Sequence, residues 1–113
     1  MKQITAVIRP QRMAPVRDAL LRAGVHGMTL SEVTGFGRQG GSVEEYQGVQ
    51  YKVDYVSKMR IEVVVTDSIV EEAVAAIKAA AQSGAIGDGK IWVTPVEEVH
   101  RIRTGERDDD ALT

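Results

Sequence analysis

The chain has 113 residues, 43% hydrophobic and 4% aromatic, with 14 Lys and Arg against 16 Asp and Glu and no cysteine. That length supports one compact domain over residues 1–113 and is too short for two ordinary ones, while a formal net charge of -2 argues against nucleic acid as a partner. The missing cysteines exclude disulfides, thiolate metal sites and cysteine nucleophiles; with no signal-peptide pattern at the start and no run of ~20 apolar residues, a cytoplasmic location without membrane insertion is expected.

Residues 2–9 alternate, with Ile4, Ala6 and Ile8 on one face and Gln3, Thr5, Val7 and Arg9 on the other, until Pro10 ends the ladder. From Gln11 to Ala23, Met13, Val16, Ala19, Leu20 and Ala23 recur at three- and four-residue steps, which predicts an amphipathic helix terminated by Gly24. A second strand follows over 28–35. Gly35, Gly37, Gly40 and Gly41 then interrupt the pattern, and a polar stretch runs on until alternation resumes near Lys58. A loop of roughly twenty residues in a compact domain is usually functional or disordered.

Met59, Ile61, Val63 and Val65 mark a third strand, and Asp67 or Ser68 is placed to cap a helix whose stripe is Ile69, Val70, Ala73, Val74, Ile77 and Ala80. Lys90 to Val96 reads as a fourth strand and Val99 to Arg103 as a short last one. Strand, helix, strand, long loop, strand, helix, strand is the α+β, ferredoxin-like βαββαβ order with both helices on one sheet face. The other face, carrying Val7, Val64, Arg60 and Glu62, needs a cover, and self-association into a closed ring supplies one. The acidic tail over 106–113 reads as a solvated end.

Two motifs carry chemistry. Gly84-Ala85-Ile86-Gly87-Asp88-Gly89-Lys90 offers backbone N–H groups and an ammonium to an anion. It is not a Walker A loop, since Ile91 follows Lys90 where a Ser or Thr is required. Taken alone it is equally a tight turn joining helix to strand. Arg101 and Arg103, two apart, project from one face of an extended segment and suit a polyphosphate, or else form a solvated strand edge. Gln39 and Lys58 flank the long loop, where an amide and an ammonium could receive a metal-held ligand and a carboxylate; taken blind, each is an ordinary surface residue. His26 and His100 have no metal-ligand spacing, and Asp108-Asp109-Asp110 fits a solvated acidic end better than a cation site.

Gly35-Phe36-Gly37-Arg38-Gln39, the glycine run to Lys90, and Arg101-Ile102-Arg103-Thr104-Gly105-Glu106 stand together with Tyr46, Tyr51 and Lys58 in one order. In these motifs, from Met1 through Glu106, the chain resembles the PII nitrogen-regulatory signalling proteins. The resemblance implies a homotrimer whose inter-subunit clefts bind ATP or ADP, with 2-oxoglutarate held through Mg²⁺ when ATP is present. By position it assigns Thr29, Gly37, Arg38, Gly87, Asp88, Gly89, Lys90, Arg101 and Arg103 to the nucleotide. Gln39, Gly41, Lys58 and Gly87 go to 2-oxoglutarate, Gln39 also to the metal, and Tyr51 matches a tyrosine that many relatives have modified by nucleotidylylation. The loop over about 37–55 is then the arm that contacts an ammonium transporter, a nitrogen-metabolism enzyme or a regulator.

Departures from the family pattern fall in that loop. Gly40 stands where lysine is usual, Ser42 where histidine is usual and Gln47 where arginine is usual, while Val49 excludes serine phosphorylation at its position. The loss of charge at 40 and 47 weakens the expectation of ammonium-channel binding. A divergent paralogue sensing another small anion, a slow ATPase lacking an evident general base, and a purely structural trimer are the competing readings.

Overall fold

A computed structural model describes residues 1–36 and 55–113, together with the backbone pairing of Val43–Tyr46 and Val49–Lys52. Strand β1 (Lys2–Ile8) leads through a 3₁₀ turn (Pro10–Arg12) into helix α1 (Met13–Arg22), and β2 (Thr29–Phe36) follows. After the short antiparallel strands β3 (Val43–Tyr46) and β4 (Val49–Lys52) come β5 (Tyr55–Val65), a second 3₁₀ turn (Asp67–Ile69), α2 (Val70–Ala81) and β6 (Lys90–Pro95). The four longer strands form one antiparallel sheet in the order β2-β5-β1-β6. This is the ferredoxin-like α+β arrangement expected from the alternating periodicities.

The core lies between one sheet face and the two helices. Ile4, Ala6 and Ile8 of β1 and Ile61, Val63 and Val65 of β5 meet Val16 and Leu20 of α1 and Ala73 and Ile77 of α2, all buried. Burying such side chains contributes roughly 1.5–3 kcal/mol for each large aliphatic. Helix α1 ends in a Schellman motif: Gly24 N–H donates to the Leu21 carbonyl at 3.1 Å and Val25 N–H to that of Leu20 at 3.0 Å. Gly24 takes φ +91°, which glycine adopts without strain, and buried Val25 and Leu20 flank the motif.

Three sequence expectations change. Val99 to Arg103 is not a strand: Ile102 to Thr104 form a turn, closed by Arg101 N–H on the Glu106 carbonyl and Gly105 N–H on the Arg101 carbonyl, both 2.8 Å. Gly105 at φ +75° permits that reversal, so the two-residue spacing of Arg101 and Arg103 does not place them on one strand face. The segment 106–113 is not a loose end, because Asp108–Leu112 forms a 3₁₀ turn, tied by Asp108 N–H to the Val99 carbonyl at 2.8 Å, with Ala111 and Leu112 half-buried. Finally, neither Asp67 nor Ser68 caps α2 through its side chain; Asp67 instead accepts from the Met1 ammonium at 2.8 Å. Within the stretch read as one irregular loop, β3 and β4 pair from Val43↔Lys52 to Tyr46↔Val49, as β-formers either side of Gln47-Gly48 favour.

Candidate nucleotide and effector site

Strand register decides what the uncovered sheet face presents. Since Ile4, Ala6 and Ile8 point into the core, Gln3, Thr5 and Val7 point away from it. Their partners across the ladders are Val64, Glu62 and Arg60 of β5 and Thr94, Trp92 and Lys90 of β6. From β2, Thr29, Ser31, Val33 and Gly35 join them opposite Glu62, Arg60, Lys58 and Val56. This face is neither apolar nor simply solvated. Arg60 pairs with Glu62 at 3.2 Å and Gln3 donates to Glu62 at 3.2 Å, while Trp92 is 45% exposed.

At one end of this face the glycine-rich turn folds over the strands. Lys58 Nζ donates to the Gly87 carbonyl at 2.6 Å. Gly87 and Gly89 hold φ +103° and +99°, and a Cβ on Gly89 would lie 1.7 Å from the Val7 carbonyl oxygen. Only glycine lets the turn sit so close to β1. Gly35 plays a similar part across the sheet, since a Cβ there would meet Lys58 Cγ at 3.2 Å. The result is a cavity of about 530 Å³ bounded by Gly35, Lys58, Gly87, Gly89, Lys90 and Trp92, among others, within the range of small-molecule sites.

Asp88, assigned to the nucleotide by resemblance, has its carboxylate turned onto its own loop. It accepts from Ser83 N–H at 2.8 Å, Gly84 N–H at 2.9 Å, the Ser83 hydroxyl, and Arg9 Nε at 3.3 Å. The Ser83 hydroxyl and N–H bonds, followed by those from Gly84 and Arg9, hold the Asp88 carboxyl well below the usual carboxylate range. Arg9 also donates through Nη2 to the Ile86 carbonyl at 2.7 Å. Asp88 and Arg9 thus brace the turn from behind, leaving Lys58 and Lys90 as the cations that line the cavity among the described residues. Partial burial and then the Arg9 charge lower the Lys58 pKa, with Asp88 opposing them.

Thr29 and Arg101 lie elsewhere. They line a second cavity, of about 460 Å³, with Gln3, His26, Glu62 and Leu112. Thr29 and Gly35 are six positions apart along β2, about 20 Å at the rise of a β-strand, so the two cavities occupy opposite ends of the same face. A triphosphate is far shorter than that. Arg101 is held by Glu106, Nη1 to Oε1 at 2.6 Å, and by the Thr113 carbonyl at 2.6 Å. Arg103, in the turn beyond it, is exposed and has no ion-pair partner among the described residues.

Gly37, Arg38, Gln39 and Gly41, and the side chain of Tyr51, lie outside the described residues, as do Gly40, Ser42 and Gln47. Among the described residues there is no cluster of three or more His, Asp or Glu able to hold a metal, and no helix is long and apolar enough to cross a membrane. Sequence reasoning left Arg9, Ser83 and Trp92 unassigned. For Trp92 the signal was present, because alternation from Lys90 puts both on one face. Arg9 reaches Asp88 across 79 positions, a contact that no local pattern reveals.

The family model for nitrogen regulatory protein P-II matches residues 1–106. The chain is 54% identical over 112 residues to the nitrogen regulatory protein P-II of Azospirillum brasilense, covering 99% of this chain and 100% of the relative. It is likewise 54% identical to the P-II protein of Klebsiella oxytoca and 51% identical to that of Nostoc punctiforme, with the same coverage in both cases. An identity of that level across the whole fold, joined to the glycine turn and the arginine turn at the two ends of one sheet face, leaves a single assignment: the chain belongs to the P-II family of nitrogen regulatory proteins.

Proposed function

We propose that this protein senses adenine nucleotides and 2-oxoglutarate and transmits that state to nitrogen-assimilation enzymes, transporters or regulators by protein–protein contact. The observation that carries the reading is the division of the cationic groups between two cavities at opposite ends of one uncovered sheet face. In a head-to-tail ring the Arg101 and Thr29 end of one copy meets the Gly87 and Lys90 end of the next, and both complete one cleft. Three copies close such a ring in the assembly that the family resemblance implies.

Phosphate chemistry suits the groups available. Amides of a glycine turn at positive φ, the ammonium of Lys90 and two guanidiniums from the neighbouring copy are donors to a polyanion. Lys58, beside Gly87, suits a carboxylate of 2-oxoglutarate, and Gln39 a magnesium ion that ATP and the effector share. The glycine turn's own carboxylate, Asp88, is held by four donors, an arrangement favouring binding over acid–base turnover. The segment about 37–55 is the arm that partners read, and Tyr51 is its modification site.

Isothermal titration with ATP, ADP and, with Mg²⁺ and ATP present, 2-oxoglutarate tests this directly. Saturable binding of ATP and ADP, with 2-oxoglutarate binding only alongside ATP, is expected; no nucleotide binding at millimolar concentration rejects the reading. Sedimentation equilibrium tests the ring, with a mass three times that of the 12.3 kDa chain expected. Val64→Lys, on the uncovered face, should shift the protein towards monomer and weaken ATP with it.

A further inference from the structure

Arg101 already holds an anion, and that anion belongs to its own chain. Its Nη1 donates to Glu106 Oε1 at 2.6 Å and its Nη2 to the Thr113 carbonyl at 2.6 Å. The Thr104 hydroxyl donates to the same Glu106 oxygen at 2.6 Å. The backbone of the same turn closes through the paired bonds between Arg101 and Glu106 and between Gly105 and Arg101. An exposed ion pair ordinarily contributes little. Here, however, a six-residue reversal fixes both partners, and the guanidinium side chain is only 26% exposed. Thr104 first, and then Arg101, keep the Glu106 carboxyl below its ordinary range, so it carries its charge at neutral pH.

The geometry points to Glu106 as an internal stand-in for phosphate, a clasp that occupies Arg101 and that an incoming polyphosphate must displace. This rests on the nucleotide reading above. Two consequences follow from the contacts. Arg103, exposed in the same turn, is available to meet a polyanion first, and Arg101 follows by exchanging the Glu106 oxygen on Nη1 and the Thr113 carbonyl on Nη2 for phosphate oxygens. Because Arg101 also holds Thr113, the exchange loosens the 3₁₀ turn at Asp108–Leu112 from the Thr29 cavity that Ala111, Leu112 and Thr113 line. Nucleotide arrival and departure of the C-terminal segment are thereby one event.

The test compares wild type, Glu106→Gln, Arg101→Ala and the double variant in ATP titrations on the full chain. Glutamine keeps the shape and the Thr104 bond while removing the charge. Glu106→Gln is expected to tighten ATP three- to tenfold, Arg101→Ala to weaken it, and the gain to vanish in the double variant, which ties the effect to Arg101. Unchanged or weaker ATP binding by Glu106→Gln overturns the clasp. A second readout needs no nucleotide: phenylglyoxal labelling of Arg101, followed by mass spectrometry, should be several-fold faster in Glu106→Gln. Equal labelling rates overturn the clasp. Faster labelling in a set of proteins that bind no ATP supports the clasp while rejecting the nucleotide reading, so the two failures are distinguishable.

Discussion

Lys58 of β5 and Gly87 of the glycine turn, 29 positions apart, are joined by a 2.6 Å hydrogen bond from the ammonium to the peptide carbonyl. The contact exists because β5 outruns β1: Tyr55 to Ser57 pair with β2 and have no β1 partner, since the β1 ladder ends at Ile8↔Met59. The turn 84–89 fills the space beside them. A charge-assisted bond ties the end of β5 to the turn, adding to the brace that Arg9 supplies through Asp88 and the Ile86 carbonyl.

Lys58→Met keeps most of the aliphatic stem and removes the donor. The expected loss is about 1.5 kcal/mol, the low end for a bond to a charged group because the site is partly solvated, read as a lower urea midpoint. The 2-oxoglutarate response should disappear while ATP binding persists. Retained 2-oxoglutarate affinity at wild-type strength removes Lys58 from the effector site.

Gly89 and Gly84 have similar positive φ, +99° and +87°, but different surroundings. A Cβ on Gly89 lands 1.7 Å from the Val7 carbonyl oxygen, whereas one on Gly84 meets nothing within 4 Å. Gly84→Ala should therefore cost about 1–2 kcal/mol of backbone strain alone. Gly89→Ala must also displace the turn from β1 and should cost on the order of 4 kcal/mol or prevent folding. Chemical denaturation of the pair decides it, and equal costs contradict the close packing of turn on strand.

Much of the fold is legible because its signals are local. The stripe of Ile69, Val70, Ala73, Val74 and Ile77 and the alternation from Met59 to Val65 each name their own period. The error at Val99–Arg103 has the same source: Val99, Arg101 and Arg103 alternate like a strand, but a strand needs a neighbour, and the sheet ends at β6 on that side. Gly105 was the local sign of a reversal. For the candidate site, the motifs mark the glycine turn and the arginines, yet what each side chain does depends on distant residues. Asp88 looks like a ligand group until Arg9 and Ser83 are seen to claim it, and Arg101 looks like a free cation until Glu106 does. That the two cationic groups lie at opposite ends of a face follows only from strand order and register.

Acid should erode the contribution of Asp88 only below about pH 4. Its carboxyl is depressed in the folded protein by hydrogen bonds that the unfolded chain lacks, so the stability it contributes is present above the ordinary aspartate pKa of about 3.9 and is lost as pH falls from there through the lower folded value. Asp88→Asn removes this group. The variant should be less stable than wild type at pH 7, with the gap narrowing as pH is lowered below about 4. Urea midpoints at pH 7, 5 and 3 measure this, and a gap that stays constant across the series rules out Asp88 as the source.

Arg103 and Lys90 separate binding from folding. Both side chains are exposed, Arg103 in the turn after Arg101 and Lys90 at the start of β6, so truncating either to alanine should leave the thermal midpoint within a degree or two of wild type. If each donates to nucleotide phosphate from opposite sides of a shared cleft, each truncation should weaken ATP about tenfold, the worth of one charge-assisted hydrogen bond. A mixed assembly carries the argument further. If each cleft draws its arginine from one copy and its lysine from the next, combining Arg103→Ala chains with Lys90→Ala chains places some clefts with both losses and some with neither. Titration of that mixture should recover a fraction of sites at wild-type affinity. Were both residues supplied by the same copy, every site in the mixture would remain weak.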